Sequence, residues 1–209
     1  YVLEDADVKA LLVGSRFIDI AIQALADERS KDVQLTLVIG GESERLNSYE
    51  EFLASSSTDD LPDDQQLLGG PMFYTSGTTG NPKGVVYTHR SNCLHALASS
   101  VPDMLALSSR ERIMPVVPLF HANGWSIGYT APLTGASMIM PGRDMSPKAL
   151  YEMLELGATV TAAVPTVWLL LLDYLEKENL RLTSLERVVI GGSACPRAVI
   201  EKFQDKYGI

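Results

Sequence analysis

Short runs of aliphatic and β-branched residues alternate with helical patterns along this chain, which narrows the choice of fold more than any other feature. The strand patterns lie at 10–13, 35–39, 72–75, 85–88, 113–117, 137–140, 160–164 and 187–190. The helical patterns lie at 17–26, 92–107, 146–156, 165–177 and 196–206, and the one at 92–107 is only partly helical, since Pro102 must end or kink it. Strands separated by helices at this spacing predict an α/β fold, in which a mostly parallel sheet lies between two layers of helices (three-layer αβα). Ligands of such sheets bind at the loops beyond the carboxyl ends of the strands, so we expect the functional residues there.

A polar segment at 55–66 divides these patterns into two groups. It is rich in serine and aspartate, a composition typical of a solvated linker. We expect a partial N-terminal α/β segment over residues 1–66, ending in this linker, and an α/β core over residues 67–209. A chain of 209 residues is long enough to bury a core.

The charge balance argues against two classes of partner. The chain has 17 Lys and Arg against 26 Asp and Glu, a formal net charge of −9, whereas nonspecific nucleic-acid binding needs a basic surface. The same acidity disfavours docking to an anionic membrane. The longest apolar run, 158–172, contains Pro165 and is too short to span a bilayer. We therefore expect no nucleic-acid partner and no transmembrane segment.

The two cysteines, Cys93 and Cys195, are too few for a disulfide framework, and no Cys/His spacing resembles a zinc site. We interpret them as reduced thiols of a cytoplasmic protein. The sequence leaves both a monomer and a homo-oligomer open.

The segment at 74–85 carries the clearest chemical signal. Between residues 75 and 84 it holds four hydroxyl side chains, three glycines and Lys83. Glycines let backbone amides approach an oxyanion, hydroxyls add donors, and a lysine adds a mobile positive charge, so the loop is a candidate phosphate site in an acidic chain. It is not a Walker A loop, because Pro82 stands where that motif has glycine, and it lacks the G-x-G-x-x-G dinucleotide signature.

The string Tyr-Thr-Ser-Gly-Thr-Thr-Gly-Asn-Pro-Lys-Gly at 74–84 closely resembles the phosphate-binding signature of the adenylate-forming enzymes, which include acyl-CoA synthetases, peptide-synthetase adenylation domains and luciferases. Residues 118–125 resemble the aromatic-histidine motif that these enzymes have beside the acyl pocket. Residues 191–196 resemble their glycine-rich turn along the adenine and the acyl channel, and 164–166 resemble a strand-to-helix junction of the family. The resemblance covers the chain from about Tyr74 onward.

This resemblance implies part of the large N-terminal domain of an AMP-forming acyl-CoA synthetase, which joins a carboxylic acid to coenzyme A with ATP and Mg²⁺. It makes Lys83 and His121 the catalytic candidates, places His121 and Trp125 at the acyl group, and makes Thr75 the magnesium contact. The implied phosphate and adenine contacts are Thr75, Ser76, Gly77, Thr78, Thr79, Gly80, Lys83, Gly192, Ser193 and Ala194. The string His-Ala-Asn-Gly-Trp is closest to the medium- to long-chain fatty acyl branch, while an aryl, short-chain or thio-substituted acid stays open.

Two other functions stay open at this point. Gly191 and Ser193, between a strand and a helix, approach the nucleophile elbow of a serine hydrolase. However, Cys195 stands where that motif has its last glycine, and no histidine follows Ser193. The second alternative is a non-catalytic nucleotide-binding module.

The resemblance also implies parts that these residues do not contain: the second magnesium ligand, the ribose contact and the adenylation lysine of a C-terminal domain. We therefore expect the 209 residues by themselves to fold but to be inactive.

Overall fold

The computed structural model describes residues 1–60, 62, 69–75 and 80–209. The chain forms two compact units, one of Tyr1–Leu68 with Tyr74–Gly84 and the other of Gly69–Phe73 with Val85–Ile209. The division expected after residue 66 remains a prediction. In the structure the segment Tyr74–Gly84 joins the N-terminal unit.

The N-terminal unit is built on a parallel sheet with the strand order β1-β2-β3. Its elements are α1 (Val2–Asp5), β1 (Ala10–Gly14), α2 (Ile18–Leu25), β2 (Leu35–Ile39), β3 (Asn47–Ser48) and α3 (Tyr49–Ser55). Val13 of β1 and Val38 of β2 are paired in register and pack with Ala21 of α2 in a small core. The predicted strands at 10–13 and 35–39 and the helix between them are confirmed.

Two strands, β4 (Met72–Thr75) and β5 (Lys83–Val86), form a separate sheet. The strand predicted at 85–88 is β5, which begins and ends two residues earlier than predicted. The reason is a capping box: the Thr88 side chain accepts from the Ser91 amide, and the Ser91 hydroxyl accepts from the Thr88 amide. This box starts α4 (His89–Ser100) earlier than the periodicity alone indicates.

The C-terminal unit contains a sheet with the strand order β7-β6-β8-β9, and all of its pairs are parallel. The mostly parallel α/β fold expected from the sequence is thereby confirmed. The strands are β6 (Arg112–Pro115), β7 (Ser137–Met138), β8 (Val160–Ala163) and β9 (Arg187–Ile190). Besides α4, the helices of this unit are α5 (Ala122–Trp125), α6 (Ile127–Thr134), α7 (Pro147–Leu154), α8 (Pro165–Lys177) and α9 (Arg197–Glu201), which continues as a π-helical turn over Lys202–Tyr207.

Successive residues of the central strands enter two different cores. Met114 of β6 and Ala163 of β8 pack into a cluster with side chains of α7, α8 and α9. Their neighbours Ile113 and Ala162 pack into a second cluster with residues of α6 and the 105–107 segment. Since successive side chains of a strand point to opposite faces, helices cover both faces of this sheet.

The starts of α7 and α8 agree with the sequence. Ser146 is the N-cap of α7, its hydroxyl accepting from the Ala149 amide, and Pro147 occupies the first turn. Pro165 likewise occupies the first turn of α8. Helix α6 was not predicted, because it contains Pro132 and has no clear apolar stripe. Among the described residues, no helix is both long enough and apolar enough to cross a membrane.

Candidate functional site

Three of the segments selected from the sequence follow three adjacent strands. Segment 116–125 follows β6, Val164 follows β8, and Gly191 follows β9, with β8 between the other two strands. Because the three strands are parallel, their carboxyl ends lie at one edge of the sheet. The fold thus brings segments that are far apart in sequence into one place.

Trp125 and Gly191 are in direct contact at this edge. A Cβ atom on Gly191 would lie 2.9 Å from Cη2 of the Trp125 indole and 3.3 Å from Cζ2 and Cζ3. The next residue, Gly192, has a φ of +81°, and a Cβ there would lie 2.9 Å from Cγ1 of Val164. Only glycine fits both positions without displacing the ring or the valine. The aromatic-histidine motif and the glycine-rich turn therefore form one structural unit.

The backbone around Trp125 has left-handed dihedral angles. Ala122, Asn123, Gly124, Trp125 and Ser126 have φ values of +44°, +50°, +58°, +57° and +66°. Each non-glycine residue in this conformation costs about 1–2 kcal/mol, and runs of them are rare. Backbone bonds hold the turn: the Gly124 amide donates to the His121 carbonyl at 3.0 Å, and the Ser126 amide donates to the Ala122 carbonyl at 3.1 Å. Strain of this kind is concentrated at functional sites.

A cavity of about 530 Å³ opens beside Trp125 within the C-terminal unit. Trp125, Tyr129 and Val189 line it, together with Phe73 and Tyr87. The last two rings meet edge to face, with centroids 5.6 Å apart. A cavity of this size with a largely aromatic and aliphatic wall suits the apolar part of a small molecule.

Helix α4 closes the cavity with polar rather than apolar side chains. Ser91, Asn92, His95 and Ser99 line it, whereas Leu94, Leu97 and Val101 are exposed. The Ser99 hydroxyl donates to the His95 carbonyl at 2.7 Å, so the 3.1 Å contact between Ser99 Oγ and His95 Nδ1 requires a proton on that nitrogen. In the neutral ring, Nε2 is then an acceptor.

Asn123 adds a further polar group to the lining. Its Oδ1 atom is buried and has no hydrogen-bond partner among the described residues. An unpaired buried polar atom is costly, and a bound molecule or a water can satisfy it.

His121 is the N-terminal cap of α5 and is exposed. Its amide donates to the Pro118 carbonyl at 3.0 Å, and the following residue, Ala122, lines the cavity. His121 itself is not among the lining residues. Its contact with the acyl group therefore stays a prediction, while Trp125 does line the cavity.

Gly192, Ser193 and Ala194 are exposed in the turn after β9, and their role at the adenine stays a prediction. In the described part of the chain, Ser193 forms no hydrogen bond with a histidine. The nucleophile–base contact of a serine hydrolase is thus missing, and the geometry does not favour that alternative.

The flanks of the candidate phosphate loop lie in the N-terminal unit, whereas Ser76, Gly77, Thr78 and Thr79 lie outside the described residues. Thr75, the last residue of β4, is exposed, and so are Gly80 and Lys83. Gly80 has a φ of +137°, a conformation that favours glycine. Among the described residues no carboxylate pairs with Lys83.

Tyr74, which precedes Thr75, is held by a residue from the start of the chain. Its hydroxyl donates to Asp5 Oδ2 at 2.5 Å. This hydrogen bond, together with partial burial and the negative charge of Asp5, raises the pKa of Tyr74 to about 12. The phenol therefore remains a donor at neutral pH.

A protein cage for a metal ion is not found in the described ranges, where no three His, Cys, Asp or Glu side chains converge. The Thr75 hydroxyl is a hard oxygen donor of the kind that Mg²⁺ accepts. In P-loop nucleotide sites Mg²⁺ is held by a Ser or Thr hydroxyl together with a carboxylate and the substrate phosphates, and the exposed Thr75 hydroxyl could serve as the hydroxyl ligand.

Sequence reasoning missed several lining residues. The four-residue spacing of Ser91, His95 and Ser99 offered a signal, since it places their side chains on one face of a helix. Tyr129 offered none, because it belongs to α6, a helix that the sequence did not predict. For Phe73 and Val189 no local signal exists, because their strands reach the cavity only through tertiary structure.

The AMP-binding enzyme family matches residues 1–209. A long-chain-fatty-acid–CoA ligase of Thermus thermophilus is 43% identical over 206 residues, which is 98% of this chain and 37% of that protein. The chain belongs to the AMP-binding enzyme family. A 3-methylmercaptopropionyl-CoA ligase of Ruegeria lacuscaerulensis is 37% identical over 218 residues, covering 100% of this chain and 40% of that protein.

Solved structures agree on the fold of this AMP-binding chain. The anthranilate CoA ligase AuaEII, in complex with anthranoyl-AMP, superposes with a TM-score of 0.87 at 23% identity over 100% of this chain and 41% of that one. A long-chain-fatty-acid–CoA ligase of Archaeoglobus fulgidus superposes with a TM-score of 0.78 at 26% identity over 98% of this chain and 40% of that one. The chain spans about two fifths of the length of these relatives.

Proposed function

We propose that this AMP-binding chain is the nucleotide- and acyl-binding part of an AMP-forming acyl-CoA synthetase. The observation that carries the proposal is the contact of Trp125 with Gly191 on the wall of an apolar cavity, at the carboxyl edge of the sheet. It brings the motif that we assign to the acyl group next to the turn that we assign to the nucleotide, as a reaction between an acid and a nucleotide requires. The Thr/Gly/Lys loop supplies a candidate phosphate site.

The proposed reaction has two steps. A carboxylate oxygen of the acid attacks the α-phosphorus of Mg-ATP, the bond from that phosphorus to the bridging oxygen breaks, and pyrophosphate leaves. The sulfur of coenzyme A then attacks the acyl carbonyl, the carbon–oxygen bond to AMP breaks, and the thiol proton is released. The barrier of the first step is largely electrostatic, because one anion approaches another.

Lys83 and the loop that begins at Thr75 would hold the β- and γ-phosphates. Positioned donors and a lysine ammonium group stabilise the charge that develops on the leaving pyrophosphate. Mg²⁺ arrives with ATP as part of the substrate, and Thr75 is its proposed protein contact. The exposure of Thr75 and Lys83 supports these assignments.

The cavity beside Trp125 is the proposed acyl site. We also assign His121 to the acyl group, and Gly192, Ser193 and Ala194 to the adenine. We infer a medium- or long-chain fatty acid as the substrate, since the wall is mostly apolar. The 3-methylmercaptopropionyl-CoA ligase relatives make a short thioether acid the alternative. We also propose that the enzyme works in the cytoplasm.

The test uses the full-length enzyme with Mg-ATP, coenzyme A and four acids: hexadecanoate, octanoate, 3-methylthiopropionate and benzoate. We expect ATP–pyrophosphate exchange that requires an acid, and equal amounts of AMP and acyl-CoA once coenzyme A is added. Absence of acid-dependent exchange with every acid would contradict the proposal. Preference for 3-methylthiopropionate over octanoate would retain the reaction and overturn the fatty acyl assignment.

A further inference from the structure

We propose that Asp5 is a positioning residue for ATP: through Tyr74 it holds the strand that presents Thr75 to the nucleotide phosphates. This inference rests on the proposed function of the loop after Thr75. Asp5 lies outside every motif that the sequence indicates, and it reaches Tyr74 only through the tertiary structure.

The contact is short and carries a charge. The Tyr74 hydroxyl donates to Asp5 Oδ2 at 2.5 Å, across a sequence separation of 69 residues. Hydrogen bonds to an ionised acceptor are stronger than bonds between neutral groups. This bond therefore restrains β4 at the residue next to Thr75.

Asp5 has no other evident task in the described part of the chain. It is the last residue of α1, where an acidic side chain gains nothing from the helix dipole. Its carboxylate forms no ion pair with a described lysine or arginine. Its only other side-chain partner there is the Tyr1 hydroxyl, which donates to Oδ1 at 3.3 Å.

Strand geometry carries the restraint from Tyr74 to Thr75. Both residues belong to β4, so their side chains point to opposite faces of the strand. Fixing the Tyr74 phenol on one face fixes the direction of the Thr75 hydroxyl on the other. A slip or rotation of the strand would turn that hydroxyl away from the phosphates.

The test measures the Kd for Mg-ATP by calorimetry in the full-length enzyme, without acid or coenzyme A. We expect Asp5→Ala and Tyr74→Phe each to raise the Kd about tenfold, because the Thr75 hydroxyl is then no longer held toward the phosphates before ATP binds. The double variant should be no weaker than either single one, because both changes remove the same bond. Asp5→Asn keeps a neutral acceptor and should recover most of the affinity.

Tyr1→Phe is the matched control, since it removes the other phenol from the same carboxylate. It should leave the Kd for Mg-ATP unchanged. A merely structural role would instead lower the thermal unfolding temperature of the Asp5 and Tyr74 variants while their Kd stayed at the wild-type value.

Each remaining outcome decides between the inference and the proposed function. Unchanged affinity in Asp5→Ala, or additive losses in the double variant, would overturn the role of Asp5. If the wild-type enzyme binds Mg-ATP but shows no acid-dependent exchange, the proposed reaction is wrong. The Kd values of the variants still test the positioning role of Asp5 in that case. If the wild-type enzyme does not bind Mg-ATP, both the proposed function and the role of Asp5 are contradicted.

Discussion

The indole ring of Trp125 occupies the space that a Cβ atom on Gly191 would need, since such an atom would lie 2.9 Å from Cη2 of the ring. Trp125 also lines the cavity proposed for the acyl chain. The volume of the residue at 191 therefore sets the position of the ring, and the ring sets one wall of the cavity.

Gly191→Ala should change acid binding. Its Cβ would lie 2.9 Å from Trp125 Cη2, so the ring must move into the cavity or away from it. We expect the KM of the full-length enzyme for a long-chain acid to rise about tenfold, more than the KM for ATP, because the ring that must move lines the cavity. Steady-state kinetics with each substrate varied in turn measures both values.

Gly142→Ala is the matched control, because a Cβ there meets nothing within 4 Å. Trp125→Phe in the Gly191→Ala background should restore part of the wild-type KM, since the smaller ring makes room for the methyl group. Equal behaviour of Gly191→Ala and Gly142→Ala would show that the contact does not govern the cavity.

Lys83→Ala should weaken the first half-reaction without affecting the fold. The side chain is exposed and, among the described residues, forms no ion pair, so its removal leaves no buried group unpaired. Loss of one positioned charge should lower acid-dependent ATP–pyrophosphate exchange about 100-fold. Lys148→Ala removes a lysine that is 69% exposed on α7, and its exchange rate should equal that of the wild type. A wild-type rate in Lys83→Ala would refute the phosphate assignment.

Trp168 is expected to dominate the stability of the C-terminal unit. It is 0% exposed and packs edge to face against Phe203, with ring centroids 6.0 Å apart. Trp168→Ala should lower the free energy of unfolding by about 3–5 kcal/mol, measured by urea denaturation. Trp168→Phe should cost much less, because its indole N–H has no partner among the described residues.

Leu170→Ala on the same helix serves as the control for Trp168. Leu170 is 60% exposed, so the change should stay within about 0.5 kcal/mol of the wild type. A similar loss in Trp168→Ala and Leu170→Ala would contradict the assignment of the core to the Trp168 face of α8.

Glu111 makes stability depend on pH. Hydrogen bonds from the hydroxyl and the amide of Ser108, together with Arg187, lower the pKa of its carboxyl group in the folded state. Because the folded pKa lies below the unfolded value of about 4.3, this contribution is present above that pH and is lost as the pH falls through the folded pKa.

Glu111→Gln should therefore be less stable than the wild type at about pH 7, and the difference should shrink as the pH falls below about 4.3. Urea denaturation over that pH range measures it. Glu152→Gln removes an exposed carboxylate 3.9 Å from Lys148, and its stability should follow the wild type throughout. A constant difference between wild type and Glu111→Gln would show that the carboxylate charge is not responsible.

Much of the secondary structure follows from local chemistry. Helix α8 begins at Pro165 and ends at Lys177, and β9 covers Arg187–Ile190, both as the sequence indicates. Proline presets the first turn of a helix, and a run of β-branched residues favours a strand. The displaced strand β5 and the unpredicted helix α6 depend instead on a capping box and on packing in the second core cluster.

In the candidate site, too, some features follow from the local sequence and others only from the tertiary structure. The composition of segment 74–84 by itself indicates an anion-binding loop, because glycines, hydroxyls and a lysine supply that chemistry wherever the chain places them. The partners of Trp125 and Tyr74 could not be predicted, since Gly191 and Asp5 are remote in sequence. Local preferences act over a few residues, whereas these contacts arise from the order of parallel strands and from how helices and strands pack. The sequence thus determined which groups are available for chemistry, and the tertiary structure decided which of them meet.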